Sequence, residues 1–344
     1  MRTLFTRLFP NLLAILAWSF VAVSCDNILA EEEEDCSIHY RVKFKYDYNM
    51  KYADAFANEV NSVTLYAFDD DGKLVFQKTE EDEILKSPNY YMELDINPGD
   101  YRLITWAGRL DEEASFSVPL LTVGESTYEE LICKMDRAYT RADDNGAYIN
   151  TELTGLWHGE IPKQNFSSRA ALIQTAVIPL VKNTNRIRII LQQLSDGSVD
   201  ASKFDYTITD DNGLMNYDNS ILEDELLTYM PWHQGQGSSS INGVDLGTIN
   251  VAVAELTTGR LMADKNPILT ITNRETGKVV LSIPLVKYLL LTEAEGHDMA
   301  PQEYLDRQDE YSLTFFVDAN MAWINTQIII NGWIVRYNNI ENLN

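Results

Sequence analysis

The chain has 344 residues, with 27 Lys and Arg against 52 Asp and Glu, a formal net charge of −25 and 45% apolar residues. Acidity on this scale, spread along the chain, excludes binding to nucleic acid or to an anionic membrane surface, whose charge would repel it. So high an apolar share excludes a disordered chain, and the length exceeds the roughly 100 to 200 residues of one domain, so two domains are expected.

At the start, Arg2 and Arg7 make a positive region, Leu12 to Val23 an apolar one, and Ala22-Val23-Ser24 leads into Cys25. This is the pattern of a secretory signal over residues 1–24, and the apolar run is too short for a bilayer span of about 20 residues. Ala22-Val23-Ser24-Cys25 resembles the lipobox of bacterial lipoproteins, in which cleavage precedes the cysteine and its thiol and new amine are acylated; the other reading is an ordinary signal with a chance cysteine. Each buried methylene contributes about 0.8 kcal/mol, so several chains on Cys25 would hold the protein on a membrane. Residues 25–35 then form an acidic tether. Its Asp26, Glu31, Glu32, Glu33, Glu34 and Asp35 resemble the surface-export signal of Bacteroidetes lipoproteins, and they also read as a solvated spacer.

Cys36 and Cys133 are the remaining cysteines. In an exported protein they can pair, and closing so long a loop would contribute about 4 kcal/mol; two independent buried thiols remain the alternative. Neither has a Cys or His neighbour at ligand spacing beyond Cys36 and His39, too little for a metal.

Residues 36–164 are expected to form a first β-sandwich. Ile38, Tyr40, Val42, Phe44 and Tyr46 alternate with Arg41, Lys43 and Lys45, a half-buried strand. The period recurs at Val63 to Phe68, Leu74 to Phe76, Tyr90 to Ile96 and Tyr101 to Trp106. Asp69-Asp70-Asp71-Gly72, Asp143-Asp144-Asn145-Gly146 and Asp210-Asp211-Asn212-Gly213 are predicted as tight turns; none has the glycine and ligand spacing of a calcium-binding EF-hand loop. Pro98-Gly99 should reverse the chain so that Tyr101 packs back over the corner.

A polar break at Pro162 to Ser168 places the boundary near Asn165, and residues 165–344 are expected to form a second sandwich. Its predicted strands are Ile173 to Leu180, Arg186 to Leu191, Phe204 to Thr209, Ile249 to Leu256, Ile268 to Thr272 and Val279 to Ile283. Gly235 to Gly243 is predicted as a flexible loop by composition. Leu285 to Leu291 and Pro301 to Arg307 are predicted as short helices. Tyr311 to Val317 and Trp323 to Val335 are final strands, with a bulge or kink at Asn331-Gly332.

Val42 to Met50, the adjoining Lys51 to Phe56, Gln302 to Tyr311 and Ile330-Asn331-Gly332-Trp333 together resemble the FimB-type family of Bacteroidales fimbrial subunits. The similarity spans nearly the whole chain after the signal. It implies an all-β protein of two tandem transthyretin-like β-sandwiches, exported as an outer-membrane lipoprotein facing the cell exterior. The implied role is to anchor a fimbria and take part in its assembly or length control, with accessory or tip-like subunits also among the family. The implied partners are a fimbrial shaft subunit, a major or minor pilin, and the membrane through the lipid. The resemblance further implies that related shaft subunits polymerise by strand exchange once an Arg-specific protease removes an N-terminal segment. Here no Arg or Lys lies between Cys25 and Arg41, and Arg41 falls inside the first strand, so that strand is expected to stay. At the other end Ile328, Ile330, Trp333 and Val335 mark a donated strand or an internal edge strand; their alternation fits both.

An enzyme is not expected. His39, His158, His233 and His297 are scattered without a nucleophile or acid in a catalytic frame, and no phosphate loop or metal motif occurs. No cofactor beyond the covalent lipid and no small-molecule substrate is expected. The alternative from another class is a surface glycan-binding lipoprotein stacking sugars on Trp106, Trp157, Trp232, Trp323 or Trp333; each lies in or beside a predicted strand, where core packing competes.

Overall fold

The computed structural model describes residues 37–108, 114–140, 146–169, 171–194, 197–239, 249–292 and 298–336. The chain opens with β1 (His39–Lys45), the single-turn helix α1 (Phe56–Glu59), β2 (Ser62–Phe68), β3 (Leu74–Glu81), β4 (Met92–Leu94) and β5 (Gly99–Ala107). An excursion follows with β6 (Phe116–Ser117), β7 (Cys133–Met135), β8 (Ala138–Tyr139) and β9 (Ala147–Ile149), before β10 (Trp157–Phe166), β11 (Ile173–Pro179) and β12 (Val181–Lys182). The rest comprises β13 (Thr184–Gln193), β14 (Phe204–Asp210), β15 (Leu214–Met215), β16 (Leu227–Tyr229), β17 (His233–Ser239), β18 (Ile249–Gly259), β19 (Ile268–Asn273) and β20 (Val279–Pro284). After two helices, α2 (Leu285–Leu289) and α3 (Pro301–Arg307), come β21 (Glu310–Val317), β22 (Trp323–Ile330) and β23 (Trp333–Arg336).

Two sandwich units result. In the first, a sheet of order β11-β1-β4 faces one of order β12-β10-β5-β2-β3. Tyr40, Val42, Phe44, Val63, Leu65, Leu103 and Ile178 fill the space between. In the second, β17-β18-β13-β21-β22-β23 faces β20-β19-β14-β16-β9-β8, with the small sheet β15-β7-β6 beside them. All of β2 is buried, so alternation there does not separate core from solvent: Val63 and Leu65 look into the first core, while Tyr66 and Phe68, with Ile104 and Trp106 of β5, enter the second. The larger sheet of the first unit is thus covered on both faces.

The division at Asn165 does not follow the pairing. β11, beyond it, runs parallel to β1 from His39↔Ile173 to Lys45↔Pro179, and β9, well before it, pairs with β16 of the second unit. Polar composition marks exposed backbone, and strands from distant segments pair regardless of it. The polar Pro162 to Ser168 stretch is the outer end of β10, whose register shifts between Ile161 and Gln164, the kind of irregularity that accommodates a strand proline. Residues Gly235 to Ser239, expected as loop, belong to edge strand β17; Gln234 and Gln236 pin it by donating to the carbonyls of Phe204 (2.9 Å) and Val251 (2.9 Å). Residues 240–243 lie outside the described residues.

Asn331-Gly332 is a full reversal, where a bulge or kink was expected. Ile330 pairs with Trp333 across two residues with φ of 49° and 86°, the doubly left-handed turn that matches strand twist and calls for Asn-Gly. The predicted helices are α2, continued by a 3₁₀ turn at Leu290–Thr292, and α3, which begins on Pro301. At the Pro98-Gly99 corner the Tyr101 hydroxyl donates to the Asn97 carbonyl at 2.7 Å, closing the turn as expected.

Candidate functional site

Residues 1–36 lie outside the described residues, and with them the signal, Cys25, Asp26, Glu31 to Asp35 and Cys36. The described chain enters the fold at β1, an interior strand paired on both sides, with β11 and with β4. Tyr40, Val42 and Phe44 point into the core. On the other face the Arg41 guanidinium lies 3.9 Å from the Tyr91 ring centroid and 3.3 Å from Glu93 Oε1. Cys133 is a free, fully buried thiol in β7, and burial pushes its pKa up so that it stays protonated; Cys36, the other cysteine of the possible pair, is outside the described residues.

At the opposite end, β22 is flanked by β21 and β23, and its Ile328 and Ile330 are fully buried in the second core. β23 forms the sheet edge: Val335 is 6% exposed, whereas Trp333 is 52% exposed at its start. Ile328 and Ile330 are thus internal, and Trp333 and Val335 belong to an edge strand.

Between these ends, segments far apart in sequence meet. Arg307 of α3 lies over Tyr48 (4.0 Å) and Tyr52 (4.7 Å), and its Nη1 donates to the Asp47 carbonyl at 3.4 Å. Asp54 holds the shape of the receiving loop by accepting from the Tyr46 and Phe56 amides, each at 3.0 Å. In α3, Asp306 takes Nε and Nη2 of Arg260 at 2.8 and 2.7 Å, while Arg260 Nη1 donates to the Asn219 carbonyl at 2.6 Å. Lys182, under the Trp157 ring at 5.3 Å, bridges Glu59 (3.3 Å) and Asp309 (2.5 Å). Arg102, paired with Glu160, faces Tyr128 and Tyr217. Stacked guanidinium and desolvated ion pairs of this kind fix orientation as well as adhesion.

His158 sits in the same junction, edge-on to Trp106 with centroids 4.7 Å apart, its Nε2 donating to the Tyr217 carbonyl at 2.8 Å. Burial pushes its pKa down to about 4 from 6.5. Between those values the unfolded histidine takes up a proton that the folded one refuses, so its contribution is full above pH 6.5 and is lost as pH falls towards 4. Asp210, raised by burial to about 6, has the opposite sign, because the folded carboxyl keeps a proton that the unfolded one releases. Comparing the parent with His158→Gln cancels Asp210. The stability gap is expected to narrow by up to about 3 kcal/mol between pH 7 and pH 4, read from urea unfolding; a constant gap would contradict the assignment.

The acidic turns are held by their own backbone. Asp69 Oδ1 accepts from the amides of Asp71 (3.0 Å) and Lys73 (2.9 Å), with Gly72 at φ 79°. Asp211 pairs with Lys265 at 2.9 Å; residues 143–145 are outside the described residues. Among the described residues no three His, Cys, Asp or Glu converge to hold a metal.

Of the tryptophans, Trp106 and Trp157 are buried and Trp323 is half-buried, its ring edge-on to Phe315. Trp232 (38% exposed) leads into β17 and Trp333 (52%) opens β23, the two opposite edges of the six-stranded sheet. Five strand spacings of about 4.8 Å separate such edges by about 24 Å, so the two exposed rings form no stacking row. The outer face between them carries a concavity of about 440 Å³ walled by Arg186, Arg188, Trp232, Glu255 and Glu310.

Two sandwiches joined by a polar and aromatic junction, with an interior first strand and β23 at a sheet edge, define an all-β protein of two units. The family model described as Fimbrillin-A associated anchor proteins Mfa1 and Mfa2 matches residues 32–339, and the chain belongs to this family. It is 22% identical over 343 residues to the minor fimbrium anchoring subunit Mfa2 of Porphyromonas gingivalis, covering 97% of each chain. Two solved proteins of Bacteroides thetaiotaomicron share the fold. A candidate adhesin is 38% identical with a TM-score of 0.77, covering 87% of this chain and 98% of its own. A candidate polysaccharide-binding protein is 36% identical with a TM-score of 0.75, covering 88% and 98%. The fimbrial reading of the motifs thus holds at the level of family, and of the motif residues, Asp47, Tyr48 and Tyr52 meet Arg307.

Proposed function

We propose that this chain is the fixed end of a fimbria. Lipid on Cys25 holds it in the outer membrane, Asp26 and Glu31 to Asp35 direct it to the cell surface, and residues 25–35 space the fold from the bilayer. The fold keeps its first strand and offers the second unit to a shaft subunit, a major or minor pilin, which joins by strand pairing at an edge such as β23. Structural work of this kind needs no catalytic group.

The observation that carries this reading is the setting of β1. Cleavage after Arg41 requires several residues of extended chain in a protease cleft, and here they are paired on both sides, with Arg41 itself engaged by Tyr91 and Glu93. Exposing them means opening the first core, so cleavage follows the small open population. The native protein is expected to resist an Arg-specific protease at Arg41 and to be cut there once unfolded. Protein taken from its cells is expected to begin upstream of Arg41. A mature N-terminus at Val42 would remove the anchor reading and favour a polymerising accessory or tip-like subunit. For a glycan-binding role, the two exposed tryptophans among the described residues, Trp232 and Trp333, stand at opposite edges of their sheet and offer no shared stacking row.

A further inference from the structure

The order and direction of the strands bear on load. If the chain is held at its N-terminus and pulled through its second unit, tension enters at the His39 end of β1. It leaves β11 at the Pro179 end and passes through β12, which makes two pairs with β10, into β13. β1 and β11 are parallel and paired over seven positions, so the two loaded ends lie at opposite ends of the ladder. Hydrogen bonds between strands run across the strand direction, and a pull along the strands therefore strains the whole set together instead of opening it one bond at a time. An antiparallel pair with the same loaded ends would peel.

The second unit takes up the load at β13, which is parallel to β21 over eight positions from Arg186↔Glu310 to Gln193↔Val317; beyond β21 the chain turns back through β22 to the edge strand β23, paired over four positions. The short link between the units is itself held. Leu180 and Asn183 are fully buried, Asn183 exchanges amide hydrogen bonds with Asn219 (2.6 and 3.2 Å), and Lys182 is tied to Glu59 and Asp309. We infer that β1 with β11 is a shear clamp, giving the first unit a load-bearing function along the line from the N-terminus to the second unit. The inference rests on the anchor reading for the direction of load.

The ladder also shows which backbone groups carry it. The His39 amide donates to the Leu172 carbonyl (2.7 Å) and the Leu180 amide to the Lys45 carbonyl (2.8 Å), so the even-numbered residues of β11 turn their backbone towards β1. Odd-numbered Val177 and Pro179 turn theirs to the free edge, where a proline costs no ladder bond.

The test is single-molecule unfolding of the chain from Asp26 onward. Pulled between residues 37 and 344, the first unit should yield at about twice or more the force needed between residues 37 and 95, which lie at one end of the antiparallel β1–β4 pair and peel it apart. Ala176→Pro, which removes a ladder amide, should lower the end-to-end force, and Val177→Pro should leave it unchanged. If Ala176→Pro does not fold, the comparison of the two pulling directions in the parent decides alone. Equal forces in both directions overturn the clamp and leave the anchor reading intact; a native N-terminus at Val42 overturns the anchor reading and leaves the measured force standing.

Discussion

Replacing Trp106 by alanine is expected to cost about 3 to 5 kcal/mol and to uncouple the two units. Trp106 is fully buried in β5, on the face of the sheet turned away from the first core, where it packs with Tyr66, Phe68 and Ile104 into the second. Truncation removes the largest side chain of the junction and leaves a cavity whose walls are strands of both units, held by their own ladders and poorly able to collapse. It also strips His158 of its edge-on neighbour. Denaturant curves followed by probes in each unit, coincident in the parent, should then separate, with Trp106→Phe lying between. A loss below about 1 kcal/mol with coincident curves would show that the units are not coupled through this face.

The second large effect is expected at Arg260. Its guanidinium meets both carboxylate oxygens of Asp306 and the Asn219 carbonyl, and both side chains are close to fully covered, at 13% and 7% exposure. Arg260→Ala leaves the Asp306 carboxylate buried with only the Gln302 amide (2.9 Å) to answer it, a loss of about 3 to 5 kcal/mol. Arg260→Lys should recover little, because an ammonium cannot meet two oxygens and a carbonyl from one plane. The double change Arg260→Met with Asp306→Leu should be close to neutral, since it removes the desolvation cost together with the attraction. Equal losses for the single and the double change would place the effect in packing and not in charge. Equilibrium unfolding of the three variants separates these outcomes.

Much of this architecture is legible in the residues. Alternation at Tyr40, Val42 and Phe44, and again at Phe204 to Thr209, places strands because one face of each is wet and the other dry. The same signal is blind where both faces are dry, as in β2, and where a strand carries glycine or proline for a local reason, as in β17 and β10. The Asn331-Gly332 dipeptide announces a reversal more plainly than the bulge read from the surrounding apolar run. Pairing is the larger omission. Nothing in the composition of Phe116 to Ile149 says that it joins strands lying beyond Asn185, because the partner of a strand is chosen by shape and hydrogen bonding in three dimensions. The junction was legible only as motifs: Tyr48, Tyr52 and Arg307 stand out as a family signature, but the contact between them becomes visible only once α3 is seen beside the β1–α1 loop.

The parallel pairing of the first strand sets the order in which the molecule can be finished. Synthesis delivers β1 early, yet its neighbour β11 is delivered only after the excursion through β6 to β9 and the return along β10. Until Ile173 arrives, Val42, Phe44 and an open strand edge wait in contact with whatever else is present, and contacts closed over such long stretches of chain form slowly. The arrangement that makes the first strand hard to withdraw therefore makes it late to install: its open edge is covered only once more than half of the chain has emerged.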